Sequence, residues 1–243
     1  MNDTMKELFR ATQIKHMHPT AQTEGKPQPP LFRTYEGERI QLPKPEAAEP
    51  TLSLNQAILQ RRSHRKFKRE PLTLEHLSYA LWATQGVTRQ IDNRATLRTV
   101  PSAGARHAFE TWILVNHMAT LKPGLYAYDP VEHALVMLQE SETLGETLTA
   151  GCLGQKMVAD AAVSFFWIAD IERMTYRYGE RGFRYLCMDA GHVCQNLYLV
   201  AEALELGTCA IGAYDDDAVN EALGLDPNRE AVLYIAPLGI IDR

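Results

Sequence analysis

The strongest candidate for a binding site in this sequence is the segment from residue 61 to residue 69. Six of its nine residues are arginine or lysine, and the hydroxyl group of Ser63 lies among them. Guanidinium groups bind planar anions through paired hydrogen bonds and keep their charge at any working pH. The composition therefore predicts a phosphate or other anion site, although a nucleic-acid contact or a solvated basic surface would use the same residues.

Three other segments have compositions that favour contact with a ligand. Residues 101–107 (PSAGARH) combine proline, glycine and small side chains, which favour a tight turn that a ligand can approach closely. Residues 176–185 hold four aromatic residues and three arginines, a composition typical of clefts and interfaces. Residues 206–214 (LGTCAIGAY) are predicted to form a strand whose glycines leave backbone amides open to a ligand.

Apolar periodicity predicts the elements that position these segments. A helix capped by Thr51 or Ser53 leads into the arginine cluster (residues 61–65), and a second helix begins near Thr73 and stops at Gly86. Strands are predicted over residues 111–117, 124–128, 134–138, 161–168, 208–213 and 231–238, with a small helix near 216–223. The longest helix, residues 183–205, is apolar on nearly all sides and is predicted to be buried on more than one side. This pattern predicts an α+β protein with one central helix.

The first 50 residues differ in composition from the rest of the chain. Residues 1–18 are predicted to form a short amphipathic helix, and seven prolines follow between residues 19 and 50. Prolines at that density prevent a helix or an interior strand, so this stretch is expected to run extended over a surface. We therefore divide the chain into an N-terminal helix and proline-rich arm, residues 1–50, and one folded domain, residues 51–243.

Length and composition exclude several classes of protein. The chain has 243 residues, of which 45% are hydrophobic and 23% charged, as in soluble globular proteins and unlike disordered chains or coiled coils. Its net charge of −5 argues against nucleic acid as a partner. No apolar stretch approaches the roughly 20 residues of a membrane helix, and the N-terminus lacks a secretory signal, so a cytoplasmic protein is expected. Four scattered cysteines predict neither a disulfide framework nor a metal site.

Taken in order, these segments resemble the nitroreductase superfamily of FMN-dependent oxidoreductases, and most closely its streptolysin-S-type branch of azoline-oxidising dehydrogenases. The resemblance covers residues 51–243 and rests on RRSHRKF, then PSAGARHAFE, then YGERGFRYLCMDAGHVCQNLYLVAEALELGTCAIGAY, then APLG. It implies a homodimeric α+β fold with a central mixed or antiparallel sheet surrounded by helices. It also implies one FMN in each of two clefts between the subunits, with residues 183–205 as the buried dimer helix.

The resemblance also assigns roles to residues of this chain. It implies that the phosphate, ribityl chain and pyrimidine edge of FMN are held by Arg61, Arg62, Ser63 and Arg65. The turn that meets the flavin from the other subunit corresponds to Pro101, Ser102, Ala103 and Gly104. The strand that presents a backbone amide to the flavin N5 atom corresponds to Ile211 and Gly212, and Arg243 is the basic residue at the C-terminus that would reach the phosphate.

Two activities are compatible with the resemblance. The first is reduction of nitro or quinone-like substrates by hydride transfer through N5, with NADPH or NADH as electron donor. The second is oxidation of peptide azolines (thiazolines or oxazolines), for which the branch carries a Lys-Tyr pair linked to substrate deprotonation. This chain has Arg177-Tyr178 instead, and arginine stays protonated and cannot act as that base, although Tyr178 can donate a proton or orient substrate. The reductase is therefore favoured, and a catalytically silent flavin-binding scaffold, docked through the proline-rich arm, is a third possibility.

Overall fold

The computed structural model describes residues 2–48, 50–92 and 94–242 of the chain. Its strands are β1 (Arg39–Gln41), β2 (Val87–Ile91), β3 (Ala95–Arg98), β4 (Phe109–Val115), β5 (Gly124–Asp129), β6 (Ala134–Glu140), β7 (Val163–Asp170), β8 (Leu206–Thr208) and β9 (Glu230–Ile240). Its α-helices are α1 (Asp3–Ala11), α2 (Leu54–Gln60), α3 (Leu74–Gln85), α4 (Leu144–Gly151), α5 (Met157–Asp160), α6 (Ile171–Tyr178), α7 (Gly182–Ala203) and α8 (Asp216–Ala222).

Seven strands form one antiparallel sheet in the order β1-β6-β5-β4-β7-β9-β8, and β2 pairs with β3 in a separate hairpin. The central strands are buried on both faces. Phe165 and Trp167 of β7 belong to the core shared with α3 and α7, whereas Phe166 and Ile168 belong to the core shared with α4, α5 and α8. Because alternate side chains point to opposite faces, a strand covered on both sides needs apolar residues at every position. The predicted α+β fold with a central sheet surrounded by helices is confirmed.

Two helices next to the candidate site begin where the sequence predicts. Ser53 caps α2 through a reciprocal pair of hydrogen bonds with Gln56, and the side chain of Thr73 caps α3 by accepting from the N–H of His76. Helix α2 ends at Gln60 and Arg61 is its C-cap residue, so the arginine cluster follows directly on a capped helix. The position of the cluster is therefore set by an element that the sequence defines locally.

The long helix α7 buries one face within a single chain. Leu186, Val193 and Leu197 are almost fully buried against the sheet and α3, while Phe183 and Met188 are 48% and 55% exposed. The predicted burial on more than one side is thus not found within one chain. Phe183 and Met188 are five residues apart and so point in directions about 140° apart, and neither side chain is buried within the described residues.

The proline-rich arm packs against the body of its own chain. Helix α1 has no buried residues and is held by hydrogen bonds from Arg181 and Arg184 of the α7 region to Thr12. Strand β1 then pairs with β6 at the edge of the sheet, and Tyr35 and Leu42 on either side of β1 are buried in the core. The division of the chain at residue 50 stays a prediction, although part of the first segment contributes to the core.

Several elements were not predicted. The β2-β3 hairpin and helices α4 and α5 lie in segments without a clear apolar period, whereas α6 is amphipathic but includes Arg173 on its buried face. The strand predicted over residues 208–213 is displaced, since β8 ends at Thr208 and only Ile211 forms a further bridge, to Ile235.

All four cysteines are free; three of them are buried and Cys187 is exposed. Within the described ranges, no set of three or more His, Cys, Asp or Glu side chains could hold a metal ion. No helix of those ranges has both the length and the apolar character required to cross a membrane.

Candidate functional site

The first part of the predicted site forms around Tyr198 of α7. The guanidinium carbon of Arg61 lies 5.2 Å from the centre of the Tyr198 ring, a cation–π distance. The Tyr198 hydroxyl lies 2.9 Å from the hydroxyl of Ser63 and accepts a hydrogen bond of 2.8 Å from the N–H of Ala210. Tyr198 therefore joins the arginine cluster to the segment that contains residues 211 and 212.

The remaining arginines of the cluster differ in their contacts. Nη1 of Arg62 donates to the carbonyl groups of Leu59, Gln60 and Arg61 at 3.3, 3.2 and 2.8 Å, so this side chain closes the end of α2. Arg65 is exposed and has neither an ion pair nor a hydrogen-bond acceptor among the described residues. Of these two cations, Arg65 is the one that is free to bind an anion without first releasing a contact.

Of the two backbone amides predicted to face a ligand, those of Ile211 and Gly212, one already has a hydrogen-bond partner among the described residues. The N–H of Ile211 donates to the carbonyl of Ile235 over 2.8 Å, and the carbonyl of Ile211 accepts in return over 3.2 Å. Gly212 is exposed, and its N–H has no acceptor in the part of the chain that the structure describes. The amide that can face a ligand here is that of Gly212.

The second part of the site is the turn at residues 101–104. Ser102 Oγ donates to Asp189 Oδ2 over 2.5 Å, and the N–H of Ala103 donates to Asp189 Oδ1 over 3.2 Å. Burial raises the pKa of Asp189, although the hydrogen bonds from Ser102 and Ala103 oppose that shift. Gly104, Ala105 and His107 all have positive φ angles (57°, 51° and 43°), which is costly for the two residues with side chains. Strained backbone of this kind is concentrated at functional sites.

The end of α6 brings the predicted catalytic pair to this turn. A Cβ atom built on Gly104 would overlap the hydroxyl of Tyr178 and would lie 3.1 Å from Nη1 of Arg177. The Tyr178 ring packs edge-on against Tyr185, with ring centres 4.6 Å apart. The Tyr178 hydroxyl has no hydrogen-bond partner among the described residues, so it is free to bond to a ligand.

The two parts of the site do not meet within one chain. Asp189, which holds the turn, and Tyr198, which holds the arginine cluster, are nine residues apart in α7. At about 1.5 Å and about 100° per residue, they are separated by about 13.5 Å along the axis and point to roughly opposite sides of the helix. Arg243, which was predicted to reach the phosphate, lies outside the described residues.

Two cavities lie away from these residues. One of about 780 Å³ lies beneath residues 28–34, and its buried charges are paired, since Arg173 contacts Glu110 at 2.7 Å and Asp170 at 3.2 Å. Another of about 370 Å³ is lined by His117 and its neighbours. The first cavity is lined by none of the predicted site residues, and the second is lined by Arg69, the last residue of the basic segment.

Two residues of the site, Asp189 and Tyr198, were not predicted. The buried Arg106 lies within the predicted segment 101–107 but was given no role of its own, and its Nε donates to the carbonyl of Gly104 over 3.3 Å. A carboxylate in a largely apolar helix was a usable signal for Asp189. Tyr198 has no comparable signal, because aromatic residues are common on a helix that packs against a core.

His107 leads to a prediction on the pH dependence of stability. Burial, and then the charges of Arg98, Arg106 and Arg173, lower its pKa from 6.5 to about 3. Between pH 3 and pH 6.5 the unfolded chain binds a proton at His107 that the folded chain does not. The stabilising contribution of His107 is therefore fully present above pH 6.5 and decreases as the pH falls. We expect the contribution of His107 to the free energy of unfolding to be about 2 kcal/mol lower at pH 5 than at pH 7.5, at ~1.4 kcal/mol per unit.

Urea denaturation of the wild type and of His107→Gln at both pH values measures this effect. The variant lacks the titrating group, so its stability should decrease less between pH 7.5 and pH 5. Equal decreases in the two proteins would show that His107 does not account for the pH dependence.

Comparison with known proteins identifies the family of this chain. The sequence model of the Nitroreductase family matches residues 58–240. The nitroreductase-like protein MJ1384 of Methanocaldococcus jannaschii is 37% identical over 203 residues, which cover 84% of this chain and 98% of that protein.

Two solved structures share the fold. A chain of the Escherichia coli microcin synthetase McbBCD complex, solved with truncated pro-MccB17 bound, has a TM-score of 0.63 and 20% identity over 77% of this chain and 73% of its own. A nitroreductase-like protein of Desulfovibrio desulfuricans in complex with FMN has a TM-score of 0.56 and 21% identity over 78% of this chain and 87% of its own. Because the family model matches most of its length, and a relative matched over almost its whole length is 37% identical, this chain belongs to the nitroreductase family.

Proposed function

We propose that this protein is an FMN-dependent oxidoreductase that uses NADPH or NADH to reduce nitro or quinone-like substrates. The observation that carries the proposal is that Tyr198 contacts Arg61 and Ser63, which follow α2, and also Ala210, two residues before the exposed amide of Gly212. Bound FMN would supply two-electron hydride transfer through its N5 atom. Family membership and the FMN complex of the Desulfovibrio relative support this assignment.

The donor set fits a phosphate monoester and a flat ring. Such a phosphate carries about −1.5 to −2 charges at pH 7, which matches exposed guanidinium groups and a serine hydroxyl. Arg65 has no competing partner among the described residues, and Arg61 is held by the Tyr198 ring rather than by a carboxylate. A guanidinium beside the pyrimidine edge would also stabilise negative charge that develops on the ring during reduction.

We infer that the working form is a homodimer, in which the turn of one subunit faces the arginine cluster of the other. The separation of the two parts along α7 supports this, because one chain cannot form the complete cleft. Large apolar side chains are exposed near both parts, namely Leu54, Ile58 and Leu59 of α2 and Phe183 and Met188 of α7. Multi-angle light scattering of the flavin-bound protein at micromolar concentration should give twice the chain mass, and a monomer would contradict the inference.

Tyr178 and Arg177 separate the reductase from a second candidate, a peptide azoline dehydrogenase. The free hydroxyl of Tyr178 at the turn can orient a substrate or give it a proton in either reaction. Arg177 cannot remove a proton, because a guanidinium group stays protonated at any working pH. The similarity to a microcin synthetase chain supports the dehydrogenase, whereas the missing base supports the reductase.

An absorbance spectrum of the purified protein, followed by anaerobic addition of NADPH and then NADH, tests the proposal. We expect flavin bands that bleach with at least one donor. Flavin bands that stay unbleached with both would overturn the reductase and favour the dehydrogenase or the silent scaffold. Absence of flavin binding, even after incubation with FMN, would overturn all three assignments.

The arginine cluster gives a quantitative prediction for cofactor binding. Arg62→Ala and Arg65→Ala should each weaken FMN binding by roughly 1.5–3 kcal/mol, because each removes a charge-assisted hydrogen bond to the phosphate. Titration of flavin-free protein with FMN, monitored by the quenching of flavin fluorescence, measures the change in FMN affinity. Arg69→Ala is the matched control, since Arg69 is 82% exposed and lies 3.5 Å from Asp160. Unchanged FMN affinity in both variants would show that the cluster is not the phosphate site.

A further inference from the structure

Two guanidinium groups and one phenol converge on Gly104. Arg106 reaches it from the same turn, with Nε donating to the carbonyl of Gly104 and Nη2 donating to the carbonyl of Arg94, each over 3.3 Å. Arg177 and Tyr178 reach it from the end of α6, since both would contact a Cβ atom at this position. The three side chains therefore share one small surface around a residue that has no side chain of its own.

The positive charge of this surface is not neutralised within the chain. Arg173 is paired with Glu110 and Asp170, whereas Arg106 and Arg177 form no ion pair in the ranges 2–48, 50–92 and 94–242. Arg106 is only 5% exposed, and burial followed by the nearby charge of Arg177 lowers its pKa. A buried guanidinium next to a second cation is costly, and an anion bound between them would remove that cost.

We propose that Arg106 and Arg177 form a carboxylate-binding site that selects substrates with an acidic group, with the Tyr178 hydroxyl as a third donor. The inference rests on the proposed function, in which the turn at residues 101–104 faces the flavin. Guanidinium groups present paired N–H donors that match the two oxygens of a carboxylate. The Tyr178 ring, which packs against Tyr185, has its centre 5.6 Å from the guanidinium carbon of Arg177, and this aromatic surface favours an aromatic acid over an aliphatic one.

In this site Arg177 would bind a carboxylate throughout the reaction, which a lysine that also acts as a base could not do. Its charge is permanent, so it can hold a carboxylate throughout a reaction in which a base would have to gain and lose a proton. Because Arg177 is exposed and makes no hydrogen bond to another described residue, its replacement should leave the fold intact. This makes Arg177 the side chain to change, whereas Arg106 also holds the backbone of the turn.

The test compares benzoate with benzamide, which have the same ring but differ in charge. Each is titrated into the oxidised flavin-bound protein, and binding is followed by isothermal calorimetry and by the change in flavin absorbance. We expect benzoate to bind about tenfold or more tightly than benzamide in the wild type. Arg177→Met should weaken benzoate binding by about tenfold or more with little change for benzamide, and Arg177→Lys should retain part of the preference. Arg229→Met, an exposed arginine paired with Glu172, is the control and should change neither.

Turnover with 4-nitrobenzoate and 4-nitrobenzamide, with NADPH and with NADH, completes the test. The Arg177→Met variant should raise the KM for 4-nitrobenzoate only. Equal affinity of the wild type for benzoate and benzamide would overturn the proposal, as would unchanged benzoate binding in Arg177→Met. A change confined to the KM for NADPH would also overturn it, because the site would then hold the 2′-phosphate of that donor. If no flavin is bound, the proposed function fails, but calorimetry with benzoate still tests the anion site.

Discussion

Replacement of Glu110 by alanine is expected to lower the free energy of unfolding by about 3 kcal/mol or more. Glu110 and Arg173 form an ion pair of 2.7 Å whose side chains are 5% and 3% exposed. Glu110 also accepts hydrogen bonds from the Tyr35 hydroxyl and from the N–H of Arg33. Alanine would leave a buried cation with Asp170 as its one carboxylate partner, and breaking a buried pair from one side is strongly destabilising.

Urea denaturation gives the measurement, and Glu172→Ala gives the matched control. Glu172 pairs with Arg229 over 3.2 Å, but both side chains are about 60% exposed, so its loss should cost less than about 1 kcal/mol. The double variant Glu110→Leu with Arg173→Met should be more stable than Glu110→Ala alone, because the Arg173 guanidinium is then no longer buried without Glu110. Equal losses for Glu110→Ala and Glu172→Ala would show that burial of the pair does not determine its effect.

The second large effect is expected at Gly104, where alanine should lower kcat/KM by about 10- to 100-fold. The new Cβ would overlap the hydroxyl of Tyr178, so Tyr178 must move away from the turn. A displacement of about 1 Å at a reacting group can cost about 100-fold in rate. The positive φ of 57° adds a backbone cost of roughly 1–2 kcal/mol to the stability of the variant.

Gly224→Ala separates these two effects. Gly224 has a φ of 66°, and a Cβ atom there would meet nothing within 4 Å. We expect a similar loss of stability in the two variants, with kcat/KM reduced only in Gly104→Ala. In a Tyr178→Phe background the hydroxyl is absent, so Gly104→Ala should cost less than in the wild type. An equal reduction of kcat/KM by Gly104→Ala and Gly224→Ala would contradict the role assigned to the contact with Tyr178.

The elements that could be predicted from the sequence are those whose residues face the core. Strand β4 contains the apolar run 112–115 and β7 the apolar run 165–169, and α3 has an apolar face between a threonine cap and a glycine. The hairpin β2-β3 is mostly exposed and is held by pairing of its own backbone, so it has no apolar period to detect. Helix α6 was missed because one of its buried residues is Arg173, whose burial depends on Glu110, 63 positions earlier in the chain.

The candidate site was likewise predictable only where its residues form a local pattern in the sequence. The segments at residues 61–65 and 101–104 have local compositions that favour anion binding and a tight turn. Their partners lie far away in sequence, since Asp189 is 87 positions from Ser102 and Tyr198 is 135 positions from Ser63. Only the packing of α7 against both segments brings these residues together, and the sequence pattern of α7 does not indicate it.

The pairing of β1 with β6 has a consequence for how the protein behaves at high concentration. Without β1, the strand Ala134–Glu140 would form the border of the main sheet, with a row of unpaired backbone donors and acceptors. Such a border is a template for strands from other molecules and leads to aggregation. The three residues Arg39–Gln41 occupy it with charged and polar side chains on their exposed positions. The N-terminal segment therefore protects the colloidal solubility of the sheet, in addition to contributing Tyr35 and Leu42 to its core.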